Sequence, residues 1–166
     1  MKRRAGFTIV ELVITITIMA ILFTLAVVNL RGSQVGARDD ERKADVDSIA
    51  RALETFYMSG TDGSTVVGRY PSTGLATNLG VLRDIDPRSY RAPGSNDSGS
   101  SLVIATNANE TAAGIAPQPT IDQYVYQPLQ TDGTLCTTGA QECRRFNLYY
   151  RLETDNTVYE VMSKNQ

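Results

Sequence analysis

MKRRAG (residues 1–6), FTIVELVITITIMAILFTLAVVNL (7–30) and Arg31 form the stretch from which the rest of this 166-residue chain is read. From Phe7 to Leu30 every residue is apolar or weakly polar except Glu11. At about 1.5 Å per residue such a helix reaches roughly 36 Å, enough to span a bilayer core of about 30 Å. Lys2, Arg3 and Arg4 precede the run, which keeps the amino end cytoplasmic and sends the remainder outward.

Two details set this segment apart from a secretory signal or a plain anchor. A signal peptide carries its small-residue cleavage site after the apolar run, whereas here the small pair Ala5-Gly6 comes before it. A carboxylate within a membrane helix costs about 2.5–3.5 kcal/mol at the centre and less near an end, so Glu11 calls for a partner. The bland alternative is a signal-anchor whose Glu11 snorkels to the interface. The leader Lys2-Arg3-Arg4-Ala5-Gly6, the following Phe7 and the fifth residue after the break, Glu11, resemble the N-terminus of type IV prepilins and type II secretion pseudopilins. That resemblance implies cleavage between Gly6 and Phe7, N-methylation of Phe7 and a role for Glu11 in assembly.

Beyond Leu30 the chain has no proline until residue 71, and the helix is expected to continue to about Met58. Val46, Ile49, Ala50, Leu53, Phe56 and Tyr57 fall on one stripe of 3.6-residue period, the face that meets a sheet. Arg38 to Asp45 is charged nearly all round and reads as solvent-facing or as touching neighbouring chains. Asp39–Lys43, Lys43–Asp47 and Asp47–Arg51 are spaced as i,i+4 ion pairs. Gly32 and Gly36 read as a flexible joint, and Ser59-Gly60 as the stop. Gly68-Arg69-Tyr70-Pro71 is similar to the GxYP turn that follows the spine helix in many pilins; Pro71 forces Tyr70 extended, so its ring can lie over the helix end.

The remainder reads as sheet: an apolar run at 101–106, a short strand at Tyr124–Tyr126, and alternating runs at 146–153 and 157–163 joined by a turn at Asp155-Asn156. Phe146, Leu148, Tyr150 and Leu152 share one face, Tyr149 and Arg151 the other. For the last run the alternation leaves open whether Val158, Glu160 and Met162 or Tyr159 and Val161 point inward. The expected class is α+β: a pilin fold, with a long N-terminal helix packed on a C-terminal antiparallel sheet. Its parts are a leader (1–6), a membrane or filament-core half-helix (7–30), an amphipathic half-helix (31–58) and an exported β-rich domain (59–166).

Composition narrows the chemistry. There is no histidine, which removes the commonest general base and the Ser-His and Cys-His nucleophile pairs. Neither a phosphate-binding loop nor a dinucleotide fingerprint occurs. Loss of residues 1–6 leaves 13 basic against 18 acidic side chains, net −5, which gives no footprint for nucleic acid. Cys136 and Cys143, in the exported part, are expected to form a local disulfide rather than a metal site. No cofactor or metal is indicated; Asp84, Asp86, Asp97, Asp122 and Asp132 lack calcium-loop spacing. The triplets at Asn96 and Asn109 match a glycosylation acceptor and read as surface loops. Tyr90, Tyr124, Tyr126 and Tyr149 read as packed on the sheet, with an exposed adhesive patch as the alternative.

The resemblance implies a filament subunit and no enzyme. Its partners would be copies of itself and other pilins, a prepilin peptidase/methyltransferase and an inner-membrane assembly platform. The precursor would sit in the cytoplasmic membrane and the product in a cell-surface filament. The leading expectation is a pilus subunit serving adhesion, motility or DNA uptake. The alternatives are a secretion or competence pseudopilin, and an anchored extracellular binding domain.

Overall fold

The computed structural model describes residues 6–60, 67–76, 79–82, 85–95 and 99–165. Met1 to Ala5, Asp84, Asp97 and the Asn96 triplet lie outside the described residues. Helix α1 runs from Ile9 to Ser59, 51 residues without a proline, with Gly32 and Gly36 within it. The chain divides into two units, one up to Ala37 and one from Arg38 onward.

In the first unit every side chain from Gly6 to Ala26 is exposed. Thr15, Thr17 and Thr24 turn their hydroxyls back onto carbonyls of the preceding turn at 2.7–2.8 Å. Their polarity is thus satisfied within the helix, as an apolar solvent requires. By length and composition this part of α1 can cross a membrane.

In the second unit the rest of α1 lies on a four-stranded sheet. After the short helix α2 (Thr73–Ala76) come β1 (Leu102–Ile104), β2 (Tyr124–Leu129), β3 (Arg145–Arg151) and β4 (Val158–Met162), in spatial order β1-β2-β3-β4. The α+β class holds, with one refinement. β2–β3 and β3–β4 are antiparallel, but β1 pairs parallel to β2, because residues 105–123 carry the chain back across the sheet before β2 starts. β2 extends beyond Tyr126 through Pro128, which β1 does not reach, so its missing N–H breaks no pairing on that side.

The expected helix stripe is the core. Val46, Ile49, Ala50, Leu53 and Phe56 bury against Tyr126, Phe146, Leu148, Tyr150 and Leu152. Val161 joins this face and Tyr159 stacks on Tyr150 at 5.7 Å, which settles the orientation of β4: Val158 goes to the opposite face. That opposite face is also covered, with Ile115 and Ala105 from the crossover packing on Val125 and Tyr149. Beneath the crossover, Gln127 Nε2 donates to the carbonyls of Asn107 and Asn109 at 2.9 and 3.0 Å, and Asn147 Nδ2 donates to Gln127 Oε1 at 3.1 Å. Tyr90, Tyr124, Tyr126 and Tyr149 are all buried, so no adhesive patch forms from them.

Helix α1 ends as its sequence indicates. Gly60 takes φ +66° and donates its N–H to Phe56 O at 2.7 Å. Tyr70 packs on Tyr57 (4.7 Å between centroids) and on Phe146 (4.8 Å), and donates its hydroxyl to Glu54 at 2.9 Å. The other carboxylate oxygen of Glu54 accepts from Lys164 N at 2.8 Å, and Asn165 Nδ2 reaches Glu54 Oε2 at 3.0 Å.

Candidate functional site

The candidate segment starts with a helix cap. Thr8 precedes α1, and its hydroxyl accepts the amide N–H of Glu11 at 3.2 Å while its carbonyl accepts that of Leu12 at 3.2 Å. Thr8-x-x-Glu11 therefore has the spacing of a capping box, of which the half from Glu11 N–H to the Thr8 hydroxyl is formed. Its carboxylate sits in the first turn, where the positive end of the helix dipole lowers the cost of the charge. No partner for the carboxylate occurs among the described residues. Gly6 and Phe7 stand just ahead of the cap and are exposed. Cutting between them would bring a new amine to within a turn of Glu11 without touching the Thr8 cap.

The second unit corrects the reading of Arg38 to Asp45 as a solvated stretch. Asp39, Arg42 and Asp45 are buried, and Arg42, 1% exposed, is the largest fully buried side chain. The turn after β3 comes down on this part of α1. Arg42 Nη1 donates to Asp39 Oδ1 at 2.8 Å, and its remaining donors reach Ile121 O (2.9 Å) and Pro93 O (3.2 Å). Asp39 accepts the N–H groups of Glu153 (2.8 Å) and Thr154 (2.9 Å), and Arg38 forks onto Glu153 at 2.6 and 2.8 Å. With Asp39 turned inward, Lys43 pairs with Asp40 at 3.3 Å instead of with Asp39 or Asp47; only Asp47–Arg51, at 3.2 Å, forms as its spacing predicts.

Burial pushes the Asp39 carboxyl up, but the hydrogen bonds from Glu153, Thr154 and Arg42 outweigh it and hold it at about 2. Asp45 goes the other way. Burial raises it to about 6 against a hydrogen bond from Tyr124 Oη at 3.0 Å, and the nearby charge of Glu41 adds to the rise. The signal for both lay in the interleaving of Asp39, Arg42 and Asp45 with the stripe that begins at Val46, since i, i+3 and i+6 put them on nearly one helix face.

Cys136 and Cys143 form the expected disulfide, with Cα atoms 5.6 Å apart. Their carbonyls accept the N–H groups of Thr73 (2.9 Å) and Tyr70 (2.8 Å), and Arg144 Nη1 donates to Gly68 O at 2.9 Å. The disulfide loop thereby holds the Gly68–Pro71 turn whose tyrosine caps the core.

The prokaryotic N-terminal methylation motif matches residues 1–27. Curated relatives follow the same chain beyond it. Type II secretion system core protein G of Aeromonas hydrophila is 30% identical over 96 residues, 56% of this chain and 62% of the relative. The proteins of the same name from Pectobacterium carotovorum subsp. carotovorum (30% over 95 residues, 55% and 56%) and Vibrio cholerae (29% over 96 residues, 57% and 61%) are similar. The chain thus resembles the type IV pilin and pseudopilin family both in its N-terminal motif and in these relatives.

The matched motif and the geometry meet at the same place, the exposed apolar helix with one carboxylate in its first turn. The chain spans about three fifths of the length of the curated relatives it matches. No solved structure matches it.

Proposed function

We propose that this chain is a structural, non-catalytic subunit of a type II secretion pseudopilus. The precursor is held in the cytoplasmic membrane by residues 7–30, cut between Gly6 and Phe7 by a prepilin peptidase, methylated at Phe7 and packed with other pilins through α1. The observation that carries this reading is the run from Ile9 to Ala26, helical and exposed throughout, whose sole ionisable side chain is Glu11. Such a surface is satisfied by lipid before assembly and by neighbouring helices after it. Cleavage creates an α-amine with an ordinary pKa of about 7.7–8.0, largely cationic at neutral pH. In a low-dielectric helix bundle that amine and Glu11, on the same chain or on the neighbour being docked, need each other. An unmatched charge there costs about 3–5 kcal/mol, which selects axial register. The names of the curated relatives favour the secretion pseudopilin over the pilus subunit that the sequence alone puts first.

The test is intact mass and N-terminal sequencing of the chain recovered from its own cells, together with deletion of its gene. A chain starting at N-methylated Phe7, lighter by the hydrogens lost in forming Cys136–Cys143, and a secretion defect on deletion are expected. A precursor still carrying Met1 to Gly6 overturns the processing. A processed chain in long surface fibres, with secretion intact after deletion, transfers the role to a pilus.

A further inference from the structure

The two margins of the sheet differ. At β1 the strand is three residues long and the Leu102 N–H is taken by Ser100 Oγ at 3.0 Å. At the other margin β4 is open. Ser163 N bonds Phe146 O at 2.9 Å and Leu152 N bonds Thr157 O at 3.1 Å, so between them Leu148–Val161 and Tyr150–Tyr159 are the hydrogen-bonded pairs. The alternation of an antiparallel ladder then turns the N–H and C=O groups of Val158, Glu160 and Met162 away from β3. No strand pairs with them among the described residues. β4 carries none of the usual guards of an edge, neither proline nor lysine, and Glu160 is its only charge.

Beside this margin a cleft of about 430 Å³ opens between β4 and α1, lined by Asp47, Arg51, Glu54, Met58, Val161 and Met162. Met58 is 70% and Met162 53% exposed, a soft apolar surface that adapts to different side chains. Asp47 is paired with Arg51, and Glu54 is engaged by Tyr70, Lys164 and Asn165. Glu160 has no ion-pair partner among the described residues.

We propose that β4 receives an extended segment of a different polypeptide as a fifth strand. Its residue opposite Glu160 is basic, and the apolar residues on either side of that one point into the cleft over Val161 and Met58. The backbone row specifies a strand, the cleft specifies apolar neighbours, and Glu160 specifies the charge. A second copy adding its own β4 in register would set Glu160 against Glu160, a like-charge pair that opposes the union.

The test uses the full chain in detergent micelles and the peptide acetyl-Thr-Val-Lys-Val-Thr-amide, read by amide hydrogen exchange. The peptide is expected to slow exchange at Val158, Glu160 and Met162 by about tenfold or more, as new ladder bonds do. N-methylation of the peptide's Lys amide should remove the effect, and Glu160→Lys should shift the preference to the peptide with Glu in place of Lys. Three results overturn the proposal: no slowing at millimolar peptide, equal slowing by the N-methylated peptide, or protection that rises with protein concentration in the absence of peptide, which assigns the margin to a second copy.

Discussion

Arg42 and Asp39, one turn apart on α1, are joined at 2.8 Å beneath the turn that follows β3, and each also bonds to the backbone of another segment. The pair ties the helix to three stretches of chain that are remote in sequence. Removing Asp39 leaves Arg42 buried with only the longer contact to Glu153 at 3.4 Å. Asp39→Ala is expected to destabilise the fold by about 3–5 kcal/mol. Replacing both residues with leucine removes the buried charges but still frees the Glu153 and Thr154 N–H groups and the Ile121 and Pro93 carbonyls, so it should cost less than the sum of the two single changes. Urea denaturation of the full chain in detergent, followed through the tyrosines, compares them.

Asp39 also sets an acid limit. Its folded pKa of about 2 lies below the ordinary value of 3.8, so the folded state holds its proton less tightly than the unfolded chain. The resulting stability is fully present above about pH 4 and is lost as pH falls through about 2, to the extent of about 2 kcal/mol. Denaturation midpoints between pH 5 and pH 2 should fall in the wild type. That share of the fall should be missing in Asp39→Asn, which is already weakened at neutral pH.

Asp45 has the opposite sign. Held at about 6, it keeps its proton in the folded state over a range where the unfolded chain has lost it, so its contribution declines as pH rises from about 4 to 6. Asp45→Asn keeps an acceptor for Tyr124 and removes the buried charge. The variant should be more stable than wild type by about 1–3 kcal/mol at pH 7.5 and no more stable at pH 4. Equal gains at both pH values would show that the charge is not the cause.

Tyr70 separates packing from polarity. Tyr70→Phe keeps the contacts with Tyr57 and Phe146 but leaves Glu54 one donor short, an expected loss of about 0.5–1.5 kcal/mol. Tyr70→Ala empties the site as well and should cost about 3–5 kcal/mol. Thermal unfolding of the two variants side by side measures the difference.

In the first turn of α1, Glu11→Gln is expected to leave membrane insertion and removal of residues 1–6 intact while blocking assembly. Glutamine preserves the capping-box spacing after Thr8, so a defect in this variant isolates the charge from the helix cap. Fractionation into membrane and sheared filament material reads the outcome, and normal filaments would remove the charge-pairing role from Glu11.

The helix, its stop at Gly60, its core stripe and the last two strands were legible because each follows a local rule: period 3.6, a glycine with positive φ, and alternation. The orientation of β4 was not. Val158, Glu160 and Met162 differ too little in polarity from Tyr159 and Val161, and only pairing with Leu148 and Tyr150 decides which set turns inward. The buried charges were misread for a related reason. A charged stretch looks solvated until a remote turn, here Glu153-Thr154, supplies the donors that make burial tolerable. The parallel pairing of β1 likewise depends on where residues 105–123 cross, which no local pattern in that loop announces.

Glu54 bears on how this protein can be handled. Its carboxylate holds Lys164 and Asn165 against α1 alongside the hydroxyl of Tyr70. A purification handle or fluorescent protein attached directly after Asn165 therefore pulls on the same anchor that seats the tyrosine over the core. A spacer between Asn165 and the attached group relieves that tension. An epitope inserted at Gly139, which is exposed and has open space where a side chain would extend, avoids it altogether.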